Sequence, residues 1–370
     1  MTIGPADDWM IHQTPDPIRW VATSDRRFYD RHFITGHSRD GRVAFLTGIG
    51  VYPNLGVIDC FASFAIGDTQ YTTRASRELG SDRMNYRDIG PFSLDILEGL
   101  RTLHWRCEPR AGELVSMDLR FEGSAPAFAE PPTLSRVMDR VMEANTRIIQ
   151  TGTYTGYIVV NGERFDVTPD AWQGGRDRSW GVRSIGMERE PKGIQQAHKV
   201  QKDRTTLWIW SPMGFPSRTI HFSLSEFPDG RREVNTVRES LHWDQGGIVR
   251  DLRDPDHDLD FDPVTREMHK GTVSWTEHDG SRRTVSLTPI SRVYLRAGTG
   301  YGGPDPWRHG TYMGNDWVNS VQFDLTNEEI TSKIGPTHCM CRMEADDGEV
   351  AYGTFETQVF GAHERYGFSA

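Results

Sequence analysis

The stretch "GELVSMDLRFEG", residues 112–123, alternates without a break: Val115, Met117, Leu119 and Phe121 are apolar, while Ser116, Asp118, Arg120 and Glu122 between them are polar. Successive side chains of an extended chain point to opposite faces, so this period of two predicts a strand with one face in a core and one in water. The same signal recurs. "GRVAFLTGIGVYP" (41–53) and "GVIDCFASFAIGD" (56–68) are apolar runs bounded by Gly, Pro and Asn, the marks of buried strands. "TGYIVVNGERFDV" (155–167) reads as a hairpin, because Asn161-Gly162 supplies the positive φ angles of a two-residue turn.

Two further hairpin readings, 29–48 and 220–237, each carry Asp-Gly-Arg at the turn, and 271–287 repeats the strand, glycine turn, strand order of 155–167. The resulting weak internal repeat predicts two β domains built alike, at 1–185 and 201–370, joined by a polar linker at 186–200. One segment departs from the period of two. "TLSRVMDRVMEANTRII" (133–149) sets Leu134, Val137, Met138, Val141, Met142, Ile148 and Ile149 at helical spacing after Pro131-Pro132, with Thr133 as N-cap. It predicts a helix over 133–149. The expected class is therefore all-β, two antiparallel barrels with one helix, since a closed barrel removes exposed strand edges and can enclose a ligand.

The formal net charge is −10 over 370 residues, and no Lys/Arg run offsets it. Such a chain is a poor binder of nucleic acid or of an anionic membrane, because neutralising phosphates requires a basic surface. No apolar stretch approaches the roughly 20 residues of a membrane-spanning helix, and "MTIGPADDWMIHQTPDP" lacks the pattern of a signal peptide. The four cysteines, with Cys339 and Cys341 one residue apart in "HCMC", lack the usual zinc-knuckle spacing and read as reduced thiols. These features predict a cytoplasmic protein without a metal. The acidic run 253–263 fails as a calcium loop, because Leu259 stands where glycine is required and Thr265 where a bidentate glutamate is required. No nucleotide-binding glycine motif follows a strand and opens a helix.

"GGRDRSWGVR", residues 174–183, is the candidate site. On an alternating strand Asp177 and Ser179 face one way, and Arg176, Arg178 and Trp180 the other. An aspartate turned into an apolar hollow is pushed toward its neutral form, which donates a proton; an exposed one between arginines is ionised and serves as a salt bridge. Tyr29 and His32, on the early strand "FYDRHF", and Trp208 and Trp210, on one side of "LWIWSPMGF", are further candidates. His32 beside Asp30 has the form of an oriented general base, and the two tryptophans that of a pocket wall.

"RDRSWGVR" after the "VNGERFDV" hairpin resembles the "RDHSWG"-type signature of the lipocalin-like double-barrel family. That family includes carotenoid 1,2-hydratase (hydroxyneurosporene synthase), the AttH-like proteins and, more distantly, tocopherol cyclase. The opening "RFYDRHFITGHSRDGRVAFLTGIGVYPNLGVIDCFASF" is similar to the family's first strands. The resemblance implies two consecutive lipocalin-like barrels. It also implies protonation or hydration of carbon–carbon double bonds in isoprenoid-type substrates without an organic cofactor. It places the proton donor on Asp177 and the pocket wall on Trp180, whose π face stabilises a developing cation. The signature's histidine is Arg178 here, which replaces a titrating group by a permanent cation able to bind a substrate carboxylate in two-pronged fashion; Arg176 lies beside it.

The expectation is thus a cofactor-independent hydratase, isomerase or cyclase acting on an apolar, isoprenoid- or lipid-like small molecule. Asp177, His32 and Tyr29 would be catalytic; Trp180, Arg178, Arg176, Trp208 and Trp210 would bind substrate. The alternative is a carrier that binds a hydrophobic ligand without transforming it.

Overall fold

A computed structural model of the protein describes residues 3–137, 140–183, 205–334 and 337–369. The proposed linker at 186–200 lies outside the described residues. Strands dominate: β1 (Phe28–Ser38), β2 (Val43–Tyr52), β3 (Val57–Ile66), β4 (Thr69–Glu78), β5 (Phe92–Glu98), β6 (Thr102–Cys107) and β7 (Val115–Gly123) come first. β8 (Phe128–Ala129), β9 (Thr133–Val137), β10 (Arg140–Val160), β11 (Glu163–Val167) and β12 (Trp172–Val182) follow. After residue 204 come β13 (Leu207–Gly214), β14 (Arg218–Glu226), β15 (Arg232–Leu241), β16 (Val249–Asp251), β17 (Arg253–Phe261), β18 (Met268–Thr276) and β19 (Arg282–Tyr294). The chain closes with β20 (Val318–Asp324), the short helix α1 (Glu328–Ile334), β21 (Thr337–Ala345) and β22 (Val350–Val359).

These strands build two antiparallel sheets, one a half-barrel and one a nearly closed barrel, as in a double lipocalin-like barrel. The first runs β20-β4-β3-β2-β1-β12-β10-β7-β6-β5, with β8, β9 and β11 added on β10; the second runs β16-β15-β14-β13-β22-β21-β19-β18-β17. The four predicted hairpins are β1–β2, β10–β11, β14–β15 and β18–β19, and Asn161 and Gly162 have φ of 47° and 83°. β20 crosses back to pair Val318–Asp324 with β4, covering what would otherwise be an open edge. Among the described residues no helix is long and apolar enough to cross a membrane.

The predicted helix over 133–149 is instead β9 and the first half of β10. Its supposed apolar stripe is not buried as one: Leu134 is 62% exposed. A helix draws most of its stability from tertiary burial of its stripe. Here β12 presents an open hydrogen-bonding edge, and pairing Ala144–Gly152 with Val182–Gly174 satisfies both strands at once. Val141, Thr146, Ile148 and Ile149 are β-branched and suit that outcome.

Each sheet has its own core. Ile34, Phe45, Phe64, Trp105, Phe121, Tyr154 and their neighbours fill the concave side of the first; Ile209, Phe222, Trp275, Leu287, Met343 and Phe355 belong to the second. A third cluster joins the two: Phe33, Leu46 and Phe61, from the opposite face of the first sheet, pack on Val293, Leu295, Trp307 and Met340. The four cysteines are free and buried.

The glycine doublet of the motif has a packing cause. Gly174 sits where a Cβ would lie 2.1 Å from the Thr35 carbonyl oxygen and 2.6 Å from the Tyr154 ring. Tyr154 uses that space to donate its hydroxyl to the Thr35 carbonyl at 2.7 Å. Gly174→Ala should therefore destabilise the fold by about 1–3 kcal/mol, the usual cost of overpacking a core. Urea denaturation checks this; an unchanged midpoint would show that the contact is not tight.

Candidate active site between the two sheets

The β1–β12 register decides which motif residues meet. Phe33 lies opposite Asp177 and Arg31 opposite Ser179; His32 lies opposite Arg178, Ile34 opposite Arg176 and Asp30 opposite Trp180. Asp177 therefore shares the face of Phe33, which looks toward the second sheet, while Arg176, Arg178 and Trp180 share the face of Ile34. The alternation expected for 176–180 holds, and it separates the aspartate from its flanking arginines.

Asp177 opens on a cavity of about 660 Å³ between the sheets. The first sheet contributes Phe33, Glu143, Arg147 and Asp177 to its lining. The second contributes a row across three hydrogen-bonded strands, Trp210 on β13, Glu356 on β22 and His338 on β21, with Trp208 opposite Gln358 beside it. Arg183 and the loop after β19 (Leu295, Arg296, Tyr301) complete one side. The walls are thus aromatic, with a few convergent ionisable groups, the usual composition of a small-molecule site.

Asp177's side chain is 16% exposed. Burial raises its pKa above the ordinary aspartate value; Arg147, Arg183 and Arg31 pull the other way, and Glu130 adds to the rise. The Arg147 Nε lies 3.9 Å from the Asp177 Oδ2, too far for a hydrogen bond. Arg147 is held instead by Glu130, at 3.2 Å from its Nη1. Glu130 also accepts the Trp210 indole N–H at 2.8 Å and lies 3.3 Å from the His221 Nε2. One carboxylate thus fixes the cation beside Asp177 and an aromatic wall. Across the cavity, burial lowers the pKa of His338, against Glu356 and Asp177, so the ring is neutral near pH 7; its Nε2 is 3.9 Å from the Glu356 Oε2.

Of the residues singled out in the sequence, Asp177, Trp208 and Trp210 meet at this cavity. Tyr29 lies just behind it, buried, with the Arg183 guanidinium 4.3 Å from its ring centre. The others are on the opposite face of the first sheet. Arg178 pairs with Asp30 and lies 5.3 Å from the ring centre of Trp180, which is 37% exposed. Arg176 donates to the Gln150 Oε1 at 2.9 Å. His32 is buried, and burial, with Arg178 and Arg176, holds its pKa well below the ordinary value, so it is neutral there. Arg147, Glu130, His338 and Glu356 were not singled out in the sequence, and Arg183 was marked only as the last residue of the 174–183 stretch. Among the described residues no group of three or more His, Cys, Asp or Glu side chains is arranged to hold a metal.

A second polar network lies behind the cavity. Arg31 Nη1 donates to the His309 Nδ1 at 3.2 Å, and the His309 Nε2–H donates to the Thr299 carbonyl at 2.6 Å. Asp59, fully buried, accepts the Gly310 N–H at 2.7 Å and so ties the 294–317 loop to the sheet. Burial pushes its pKa up to about 7, against the Gly310 N–H and Arg31. A carboxyl whose folded-state pKa is raised contributes stability that is present below its unfolded value, near pH 4, and lost as pH rises to about 7. The loss is on the order of 4 kcal/mol. Asp59→Asn should remove this part of the stability slope between pH 4 and pH 7, measured by denaturant titration at each pH; an identical slope in the variant would mean that Asp59 does not titrate there.

A two-sheet, lipocalin-like β protein with an ionisable, aromatic-walled cavity between its sheets is the class defined by fold and site. Residues 3–369 match the model of DUF8625, a family of unknown function, and the chain belongs to that family. No curated protein matches the sequence. Among solved structures, the provisionally assigned AttH of Nitrosomonas europaea aligns over 91% of this chain and 94% of its own, at 13% identity and a TM-score of 0.51. Kievitone hydratase from Nectria haematococca aligns over 90% and 89%, at 10% identity and a TM-score of 0.49. CghA, in complex with Sch210972, aligns over 90% and 89%, at 10% identity and a TM-score of 0.48. The likeness to the first of these is one of fold.

Proposed function

We propose that the protein is a cofactor-independent enzyme of hydratase type that protonates a carbon–carbon double bond of an apolar, isoprenoid- or lipid-like small molecule bound between the sheets. Hydration is the first outcome of such a protonation; isomerisation and cyclisation are the others open to the same cation. The observation that supports this reading most is the placement of Asp177: a carboxyl with a raised pKa, on a cavity walled by Trp208, Trp210 and Phe33.

The chemistry follows from the residues. A protonated Asp177 donates its proton to the alkene, and the carboxylate left behind is stabilised by Arg147, Arg183 and Arg31. The carbocation formed is sheltered by the indole faces of Trp208 and Trp210. Water adds to the cation and gives up a proton to the Asp177 carboxylate, which completes hydration and restores the acid; loss of a neighbouring proton to the same carboxylate completes isomerisation. Glu130 is a positioning residue in this scheme, since it holds Arg147 and Trp210. The proposed domain division places this chemistry at the junction of two β units rather than inside one.

Native mass spectrometry of protein purified from its own host should show a copurifying apolar ligand. With that compound as substrate, Asp177→Asn should lower turnover by about 10²–10⁴-fold, the usual contribution of a general acid, while the dissociation constant stays within about threefold. The acid form is the active one, so the rate should fall as pH rises through the raised pKa of Asp177. Undiminished turnover in the variant would remove Asp177 from the mechanism, and a bound ligand without any turnover would make the protein a carrier.

A further inference from the structure

Among the described residues, two guanidinium groups on the cavity have no anionic partner. Among the described residues, no carboxylate oxygen lies within 4.0 Å of Arg183 or of Arg296. Arg147, by contrast, is paired with Glu130. Both unpaired groups are held in place. Arg183 lies over the Tyr29 ring at 4.3 Å and 5.8 Å from the Tyr301 ring centre; its Nη2 donates to the Tyr301 hydroxyl at 3.5 Å, and its buried Nε has no partner. Arg296 is wrapped by its own loop. Gly302 and Gly303, with φ of 110° and 84°, turn the chain back over its stem, and a Cβ on Gly303 would meet the Arg296 carbonyl at 2.4 Å. Arg183, Arg296 and Tyr301 line the cavity together with Asp177 and Trp208.

A partly desolvated guanidinium without a counter-ion is costly, and one aimed into a cavity is compensated when a ligand brings the anion. We propose that the ligand carries a carboxylate, held by Arg183 and Arg296 beside the Tyr301 hydroxyl, with its apolar body against Trp208 and Phe33. This rests on the reading of the cavity as the site for an apolar molecule and specifies that molecule's polar end. Glu143 and Glu356 on the same lining disfavour a dianion such as a phosphate monoester. Docking also acts on the acid. Arg183 is one of the three cations that oppose the raised pKa of Asp177, with Arg147 and Arg31, while Glu130 acts the other way. A carboxylate on Arg183 cancels that cation, which raises the pKa of Asp177 further and holds its proton more firmly.

Isothermal titration with trans,trans-farnesoic acid, methyl farnesoate and farnesyl phosphate tests this. The acid should bind about 10-fold tighter than the ester, in line with charge-assisted hydrogen bonds to a guanidinium. Arg183→Met and Arg296→Met should each reduce that preference, with an unchanged urea-denaturation midpoint as the check on folding, and Arg183→Lys should restore part of it. Binding of the acid but not of the ester should move the loss of the Asp177 carboxyl band to higher pH, read by infrared difference against Asp177→Asn. Equal affinity for acid and ester, or a preference that survives both methionine variants, overturns the carboxylate anchor and leaves the role of Asp177 standing. Tighter binding of farnesyl phosphate overturns the choice of carboxylate. Failure of all three probes to bind overturns the anchor and the apolar-ligand reading together.

Discussion

The register between β1 and β12 is the constraint on which the site depends. Shifted by one residue, it would turn Asp177 into the core beside Ile34 and Tyr154 and deliver Arg176 and Arg178 to the cavity. Several contacts hold it in place. Gly174 allows Tyr154 to reach the Thr35 carbonyl, and the same hydroxyl also donates to the Gly175 carbonyl at 3.1 Å. On the far side Arg178 pairs with Asp30, which is also bound by Arg83 at 3.1 Å. The arginines that made the motif conspicuous thus secure the strand, while Asp177 turns the other way, onto the cavity.

That aspartate faces a balance of large opposing effects. Burial disfavours its charged form, and three nearby guanidinium groups favour it. Arg147 would otherwise lie close enough to quench the acid by a direct hydrogen bond, but Glu130 draws its Nη1 to 3.2 Å and leaves the Nε 3.9 Å from Asp177. Buried ion pairs repay their desolvation only when further hydrogen bonds satisfy them, and Glu130 has one from Trp210. The arrangement raises the pKa of Asp177 while leaving a cation 3.9 Å from its Oδ2.

Much of the fold is legible in the sequence because turns and alternation are local. Asn161-Gly162 and the Asp-Gly steps at 40–41 and 229–230 mark hairpins that form as read. The misread helix at 133–149 shows the limit: its apolar spacing fits a helix, but the edge of β12, distant in sequence, outbids local preference. Nor does anything in "VNSVQFD" announce that β20 leaves its neighbours to pair with β4. The site divides along the same line. Asp177, Trp208 and Trp210 stand out by type and pattern. Arg147 was hidden inside the misread helix, His338 beside a cysteine pair that drew attention to zinc, and Glu356 in an unmarked strand. They meet Asp177 only because two sheets pack face to face. Read together, the Trp210–Glu356–His338 row needed strand pairings that no single segment reveals.

The central claim is that Asp177 carries a proton in the resting protein at pH values where an ordinary aspartate is ionised. Infrared difference spectra between the protein and Asp177→Asn, recorded as pH is raised from about 4, the ordinary aspartate value, test it most directly. The account predicts a protonated-carboxyl band lost in the variant and still present above that value. A band that vanishes at the ordinary aspartate pKa, or is identical in both proteins, would contradict it.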